Sequence, residues 1–204
     1  MKVAVVEYGM GNVDSVVRAV EECGGKPVLT DCAADLARAT HIILPGVGSF
    51  TGGMESIRKR GLDGLLCEQV RGKGIPFLGI CLGMQLLATV GWEGGKTAGL
   101  GWIPGEVHRL QANGHGERIP HVGWNEVAVA QSCPLFADMP TAKDFYFAHS
   151  YALVCEKTQN VVATTAYCGR IASVVGEGRI FGVQFHPEKS QRWGLQLIRN
   201  FLAM

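Results

Sequence analysis

Residues 74–88 of the chain read Gly-Ile-Pro-Phe-Leu-Gly-Ile-Cys-Leu-Gly-Met-Gln-Leu-Leu-Ala. The pattern predicts a short buried strand, a sharp turn that holds Cys81, and the start of an apolar helix. Gly79 and Gly83 flank this cysteine in the spacing G-x-nucleophile-x-G, which is typical of a nucleophile elbow. The spacing has a steric reason, because residues without a Cβ let a strand and a helix approach each other at a strained turn. A buried structural cysteine is the alternative until a general base is found.

The first half of the chain alternates predicted strands with predicted helices. Apolar runs predict strands at 2–6, 26–29, 41–44 and 76–80, and spacings of three and four predict helices at about 13–22 and 54–70. This alternation favours an α/β fold with a doubly wound, mostly parallel sheet. In such sheets, ligand sites form at the carboxyl ends of the strands.

The second half, from Gly91 onward, indicates antiparallel hairpins, because glycines and prolines interrupt short alternating segments. One hairpin is predicted around Asn113-Gly114, and another joins 171–175 to 180–185. Further strands are predicted at 105–110, 144–151 and 160–165, followed by an amphipathic helix at about 193–202. The chain contains no internal repeat and no linker, so we expect one domain over residues 1–204.

Composition narrows the class of protein. The 204 residues are 47% hydrophobic and 18% charged with a formal charge of +1, which does not favour a nucleic acid or an anionic membrane as a partner. Seven cysteines without a C-x-x-C pair argue against a zinc site or a disulfide framework and suit a reducing compartment. The sequence has no signal-peptide pattern and no apolar run of membrane-spanning length. We therefore expect a cytoplasmic globular protein that binds no metal.

Two glycine-rich loops follow predicted strands. Residues 45–50 read Pro-Gly-Val-Gly-Ser-Phe, and beside an elbow such a loop can supply backbone N–H groups to an oxyanion. Taken alone, the same loop is simply a tight turn. The loop at Gly9 and Gly11 lacks the last glycine of a dinucleotide-binding motif, because Asp14 holds that position, so a nucleotide is not expected.

A cysteine nucleophile needs a general base, and the base needs a group that orients it. His186 and Glu188 stand two residues apart just after the predicted strand 180–185, and Pro187 ends its hydrogen-bond ladder. They are therefore predicted at the strand exit, on the sheet edge where the elbow also lies. The remaining histidines do not combine a strand exit with a carboxylate two positions on: His41, His108, His115, His121 and His149.

Two motifs carry a resemblance to a known family. Gly-Ile-Cys-Leu-Gly-Met-Gln (79–85) and Gly-Val-Gln-Phe-His-Pro-Glu-Lys-Ser (182–190) resemble the signatures of the class I (triad) glutamine amidotransferases. The motifs at 8–12, 45–48, 121–125 and 149–151 narrow the resemblance to the glutaminase subunits of imidazole glycerol phosphate synthase. The resemblance spans essentially the whole chain and implies a flavodoxin-like fold, hydrolysis of L-glutamine, and no cofactor.

The resemblance also implies a role for each matched residue. Cys81 would be the nucleophile, His186 the general acid and base, and Glu188 the carboxylate that orients the histidine. The oxyanion would bind the N–H of Leu82 and an N–H from the loop at Gly46-Val47. The glutamine would be contacted by Gln85, Ser150 and Tyr151.

A partner subunit is implied as well. In this family a (βα)₈ cyclase subunit covers the glutaminase mouth and receives the ammonia, so that the two chains form a heterodimer. Asn12, Tyr146 and Lys189 match positions that face this partner. For Lys189, a solvated lysine at a strand exit is the alternative.

Three other functions fit parts of the pattern. They are an amidotransferase subunit of another synthase, a cysteine hydrolase or glyoxalase-like protein with the same type of sheet, and a catalytically inactive scaffold. The Gly-Met-Gln motif at 83–85 and the Gly-Trp-Asn motif at 123–125 disfavour the first. The His-x-Glu pair at a late strand exit disfavours the second, and the presence of all three triad residue types disfavours the third.

Overall fold

A computed structural model describes residues 1–114 and 116–204. Its α-helices are α1 (Val13–Glu22), α2 (Ala33–Arg38), α3 (Phe50–Lys59), α4 (Leu62–Cys67), α5 (Leu82–Gln85) and α6 (Gln191–Leu202), and a π-helical turn at Glu68–Gly72 continues α4. Its strands are β1 (Lys2–Val6), β2 (Lys26–Thr30), β3 (His41–Gly46), β4 (Phe77–Cys81), β5 (Val90–Gly91), β6 (Thr97–Ala98), β7 (Gly105–Arg109), β8 (His121–Val129), β9 (Ala142–His149), β10 (Tyr151–Cys155), β11 (Val161–Ala166), β12 (Arg170–Glu177) and β13 (Ile180–Val183).

The described residues form a nine-stranded sheet and a smaller four-stranded sheet. The large sheet has the order β2-β1-β3-β4-β13-β12-β11-β8-β9. The first five strands in this order, β2, β1, β3, β4 and β13, run parallel to one another. From β13 to β9 each strand is antiparallel to its neighbour. The small sheet has the order β10-β7-β5-β6. The α/β class, the mostly parallel arrangement of the first half and the antiparallel hairpins of the second half are therefore confirmed.

Helices cover both faces of the parallel strands, and the strand pattern explains why. In β1 the side chains alternate, so that Val3 and Val5 pack in the core beneath α1 and α6, whereas Ala4 and Val6 pack beneath α2 to α5. All four are essentially inaccessible to water. A strand that is buried on both faces must be apolar throughout, as the sequence 2–6 is.

The third strand is longer than predicted. The sequence predicts a loop at residues 45 and 46, but β3 continues to Gly46, which pairs with Cys81 at the end of β4. Pro45 is tolerated in β3 because successive residues of a strand direct their N–H groups to opposite neighbours. The N–H of Ile42 donates to the carbonyl of Pro76, just before β4, so every second residue after Ile42 also faces β4. By this alternation Gly46 bonds toward β4, whereas the missing N–H of Pro45 points toward β1, whose pairing with β3 ends at Ile43.

The helix predicted at 54–70 was also wrong in extent. Helix α3 begins at Phe50, because the hydroxyl of Ser49 accepts a hydrogen bond from the N–H of Gly52 and caps it. Gly61 then adopts φ +67°, which ends the helix and starts α4.

The hairpin predicted around Asn113-Gly114 is wrong. β7 pairs with β10 and β5, whereas β8 pairs with β9 and β11, so Asn113-Gly114 lies in a connection between the two sheets. A turn dipeptide carries only local information and does not reveal that the flanking strands have distant partners. His115, in the same connection, lies outside the described residues.

The segment predicted as one strand at 144–151 is divided. β9 ends at His149 in the large sheet and β10 begins at Tyr151 in the small sheet, so the chain changes sheets at Ser150. Within the described ranges, none of the helices is both long and apolar enough to span a membrane.

Candidate active site

Cys81 occupies a strained turn between β4 and α5. Its φ of +53° is rare for a residue with a side chain. A Cβ on Gly79 would lie 2.5 Å from the carbonyl oxygen of Gly83, and a Cβ on Gly83 would lie 1.8 Å from the carbonyl oxygen of Leu44. Both glycines are therefore required by close backbone contacts. Since α5 comprises one turn only, the elbow is positioned by the sheet more than by a long helix.

His186 lies beside this cysteine. Pro187 opens a short turn after β13, and the His186 N–H donates to the carbonyl of Tyr146 at 2.8 Å, which fixes the backbone. The Nδ1–H of His186 donates to Glu188 Oε1 at 2.8 Å, and both side chains are almost completely buried. Nε2 is thereby left for the thiol.

The protonation of His186 follows from its neighbours. Burial alone would lower the pKa of His186, but hydrogen bonds to Cys81 and Glu188, together with their negative charges, raise this pKa to about 10. The ring is consequently an imidazolium at neutral pH, adjacent to the sulfur and oriented by a carboxylate. Such a group can deliver a proton to a leaving amine.

The thiol opens into a cavity of about 300 Å³. Six of the residues predicted from the sequence border it: Cys81, Leu82, Val47, Gln85, Ser150 and Tyr151. The further lining residues are Gly48, Glu93, Pro120, Val122, Ala148 and His149. The volume and the mixture of charged, polar and apolar groups suit a small polar metabolite.

Glu93 is a cavity residue that the sequence reasoning missed. It follows the short strand β5, and its Oε2 accepts a hydrogen bond from the N–H of Phe50 at 2.7 Å, which holds the carboxylate in place. A fixed carboxylate in a small cavity can bind an ammonium group. The sequence shows an acidic residue between Trp92 and two glycines, which is compatible with a binding loop. Only the fold shows that this residue lies in the same cavity as Cys81.

The two predicted oxyanion donors are engaged elsewhere. Val47 N–H donates to the carbonyl of Met10 at 2.9 Å and not toward the sulfur. The pairing of Gly46 with Cys81 directs the Gly46 carbonyl at Leu82 N–H, by the alternation described for β3. The Gly46–Val47 peptide must therefore turn over before both N–H groups can face a substrate.

A buried polar network supports the wall of the cavity. The carbonyl of Tyr151 accepts hydrogen bonds from Gln85 Nε2 and from His149 Nδ1, each at 2.8 Å. Gln85 also donates to Gln184 Oε1 at 3.1 Å, and Gln184 Nε2 lies 3.8 Å from Cys81 Sγ. Gln85 is thus held from both sides, and Gln184 had not been singled out from the sequence.

The orientation of the His149 ring is fixed by a hydrogen bond to a second histidine, His121. The Nδ1 of His121 lies 3.0 Å from the Nε2 of His149, and the ring of His121 stacks on Tyr167 and Phe147. Burial lowers the pKa of His121 and of His149 to about 4 each, so both rings are neutral at pH 7. Because His149 must donate to the Tyr151 carbonyl, its Nε2 accepts from His121.

Partly exposed apolar and basic groups surround the cavity mouth. Val47 and Val122, both cavity residues, are 44% and 59% exposed, and Trp124 is 48% exposed. Trp124 meets Tyr146 edge to face, and the ammonium of Lys189 lies 6.0 Å from the centre of the Tyr146 ring. Two of the predicted interface residues, Tyr146 and Lys189, are therefore in contact, and Trp124, which was not predicted, packs against Tyr146.

Asn12, the third predicted interface residue, precedes α1. It borders a narrow crevice together with Lys189 and Glu188, on the same side of the molecule as the triad residues. All three predicted interface residues therefore lie near the site.

The chain belongs to the class-I glutamine amidotransferase family, whose sequence profile matches residues 4–204. It is 44% identical over 199 residues to the imidazole glycerol phosphate synthase subunit HisH of Moorella thermoacetica, covering 98% of this chain and 93% of that protein. It is also 44% identical over 206 residues to subunit HisH 2 of Nitrobacter winogradskyi, covering 98% and 97%.

Solved structures share the fold at lower identity. A glutamine amidotransferase crystal structure superposes with a TM-score of 0.76 and 19% identity, over 98% of this chain and 97% of that one. PurLQS from Thermotoga maritima gives a TM-score of 0.73 and 22% identity, over 99% and 97%.

Proposed function

We propose that this chain is the glutaminase subunit of an imidazole glycerol phosphate synthase. It hydrolyses L-glutamine to glutamate and ammonia, and a cyclase subunit uses the ammonia to make imidazole glycerol phosphate and AICAR in histidine biosynthesis. The observation that carries this proposal is the contact of a strained, cavity-facing Cys81 with the buried His186–Glu188 pair. The HisH relatives, at 40–44% identity over nearly the full chain, favour this synthase over other amidotransferases.

The amino-acid end of the substrate is held by residues that line the same cavity as the sulfur. The Glu93 carboxylate binds the α-ammonium of glutamine, and backbone N–H groups at Ser150-Tyr151 donate to the α-carboxylate. Gln85, anchored on the Tyr151 carbonyl, sets the position of this wall. The side-chain carboxamide of the substrate then points at Cys81.

The reaction proceeds by acyl transfer to sulfur. The Cys81 thiolate attacks the carboxamide carbon, and the oxyanion that forms binds the N–H groups of Leu82 and Val47 once the Gly46–Val47 peptide has turned. The imidazolium of His186 protonates the nitrogen, and ammonia leaves. His186, now neutral, removes a proton from water, which hydrolyses the glutamyl thioester. Glu188 stabilises the imidazolium in each half of the reaction. No step requires a metal or an organic cofactor.

The partner is a (βα)₈ cyclase that seats on the cavity mouth. Two observations support this. The exposed side chains of Val47, Val122 and Trp124 form an apolar rim. Among these residues Trp124 is of the type that contributes most to binding energy at protein interfaces. Tyr146, Lys189 and Asn12 lie beside this rim. Ammonia released into a covered mouth is not protonated by bulk water.

The proposal is tested by measuring glutamate formation from L-glutamine with and without the cyclase subunit. We expect the complex to release glutamate, and Cys81→Ala to abolish this activity. Cys67→Ala is the matched control, because this exposed thiol lies on α4 away from the cavity, and it should retain full activity. Turnover that persists in Cys81→Ala would overturn the assignment of the nucleophile. A wild-type complex without glutaminase activity would overturn the function.

A further inference from the structure

The hydroxyl of Tyr8 is buried against the backbone of Gly46. Tyr8 is 1% exposed, and its hydroxyl has no hydrogen-bond partner among the residues that the structure describes. A Cβ on Gly46 would lie 2.2 Å from this hydroxyl oxygen, so the two groups are in direct contact. A buried hydroxyl without a partner is unfavourable and rare, and it requires an explanation.

The position of this hydroxyl is fixed. The ring packs in the core beneath α3 and α5, and the backbone carbonyl of Tyr8 accepts a hydrogen bond from the hydroxyl of Ser56 on α3. Burial, and to a smaller extent the charge of Cys81, raise the pKa of Tyr8, so the group remains a protonated donor. It is therefore an unused O–H donor at a defined place beside the oxyanion loop.

The hydrogen bonds of the neighbouring peptide reveal where this donor could be used. In the described conformation, Val47 N–H donates to Met10 and the Gly46 carbonyl faces Leu82 N–H. When the Gly46–Val47 peptide turns over, the substrate oxyanion satisfies both N–H groups. The Gly46 carbonyl, however, loses the Leu82 donor in a buried place, and a buried carbonyl without a donor is unfavourable.

We propose that Tyr8 is a positioning residue, whose hydroxyl donates to the Gly46 carbonyl in the turned conformation and thereby stabilises the open oxyanion hole. This inference rests on the proposed glutaminase function. It accounts for the unsatisfied hydroxyl in the described conformation, because the partner of Tyr8 is present only in the competent one. It also explains why Gly46 must lack a side chain, since a Cβ would displace the hydroxyl.

The test is Tyr8→Phe, which removes only the hydroxyl and keeps the packed ring. In the described conformation the hydroxyl is unpaired, so its loss should leave the isolated chain as stable as the wild type, or more stable, in urea denaturation. In the complex without a ligand on the cyclase subunit, the turned conformation is a minor population. There kcat should fall about five- to tenfold, which corresponds to the loss of one hydrogen bond. The KM for glutamine should stay within about twofold, because ground-state binding does not use this hydroxyl.

Thr165→Val is the matched control. Thr165 is buried in β11 and its hydroxyl also has no partner in the described part of the chain, but it lies outside the cavity lining. We expect its kcat to be unchanged. An unchanged kcat in Tyr8→Phe would overturn the proposal. Equal losses of stability and activity would also overturn it, because they would indicate a purely structural hydroxyl.

A structural measurement provides a second test that does not depend on the variant. In the complex with a glutamine-derived adduct on Cys81, the Tyr8 hydroxyl should lie within about 3.0 Å of the Gly46 carbonyl oxygen. A Gly46 carbonyl bound to any other donor would contradict the inference. These outcomes are separable from a failure of the proposed function, because in that case the wild-type complex itself would form neither glutamate nor the adduct.

Discussion

Replacing Gly83 by alanine tests whether the elbow is held by backbone contacts. A Cβ at this position would lie 1.8 Å from the carbonyl oxygen of Leu44 in β3, whereas Cβ atoms essentially never come closer than 3.0 Å to another heavy atom. Either β3 or α5 must therefore move by at least 1.2 Å, the difference between these two distances. Since the obstacle is backbone, no side-chain rotation can relieve the clash.

The magnitude follows from what this movement breaks. Overpacking alone typically destabilises a core by about 1–3 kcal/mol. The shift also strains the pairing of β3 with β4, which ends at Gly46 and Cys81 beside the substituted residue. We expect Gly83→Ala to lower the free energy of unfolding by about 3 kcal/mol or more, which moves the urea midpoint down by about 1–3 M. The displaced turn should also abolish glutaminase activity.

Gly64→Ala is the matched control for this experiment. Gly64 is exposed on α4 and a Cβ there meets nothing within 4 Å, so alanine should stabilise the chain by about 0.5–1 kcal/mol. Urea denaturation of the isolated chain, followed by circular dichroism, measures both variants. A Gly83→Ala variant as stable as the wild type would refute the steric account of the elbow.

Three further predictions concern the cavity. His186→Ala should lower kcat about 10²–10⁴-fold, and Glu188→Gln should lower it less, because Glu188 orients the proton carrier without carrying the proton; steady-state kinetics that gave the reverse order would invert the two roles. The pKa of His186 is raised from 6.5 to about 10, so its charge stabilises the fold fully below pH 6.5, and this contribution disappears as the pH rises through about 10. The free energies of unfolding of the wild type and of His186→Ala, measured in urea across this pH range, should therefore converge above about pH 10. A constant difference between the two free energies would contradict the raised pKa. Glu93→Gln should raise the KM for glutamine about 10–100-fold with little change in kcat; an unchanged KM would exclude Glu93 from substrate binding.

Much of the parallel half of the fold could be predicted from the sequence. Residues 2–6 and 13–22 carry unambiguous apolar periodicities, and the structure has a strand and a helix with those bounds. The elbow was recognisable for a different reason: steric constraints restrict a strained strand-to-helix turn to few residue types. The strand exit before His186 was equally visible, because Pro187 cannot extend a ladder.

What could not be predicted depends on contacts between distant segments. The extent of β3 depends on its pairing with β4, and the false hairpin at Asn113-Gly114 arose because β7 and β8 belong to different sheets. Glu93 enters the cavity only because its loop folds over α3, where Phe50 holds the carboxylate. A local sequence pattern contains no information about such partners.

The orientation of one peptide is the clearest example. The sequence places a valine between two glycines at 46–48 and predicts that this loop donates an N–H to the oxyanion, but the bond from Val47 N–H to the Met10 carbonyl is visible only in the fold. Turning this peptide changes ψ of Gly46 and φ of Val47, and Gly46 makes the rotation less costly because a glycine accepts backbone angles that other residues avoid. The same peptide links catalysis to the exposed Val47 at the cavity mouth, where we place the partner.

The most direct test of this account compares glutamate release by the purified chain with release by its complex with the cyclase, in the presence and absence of the ribonucleotide ligand of the cyclase. Because the Val47 N–H is turned away from the sulfur, we expect the isolated chain to be a poor glutaminase. The liganded complex should be at least about 100-fold faster. This increase requires only about 2.7 kcal/mol of differential binding to the turned conformation. Full turnover by the isolated chain, unchanged on adding the cyclase and its ligand, would contradict the account.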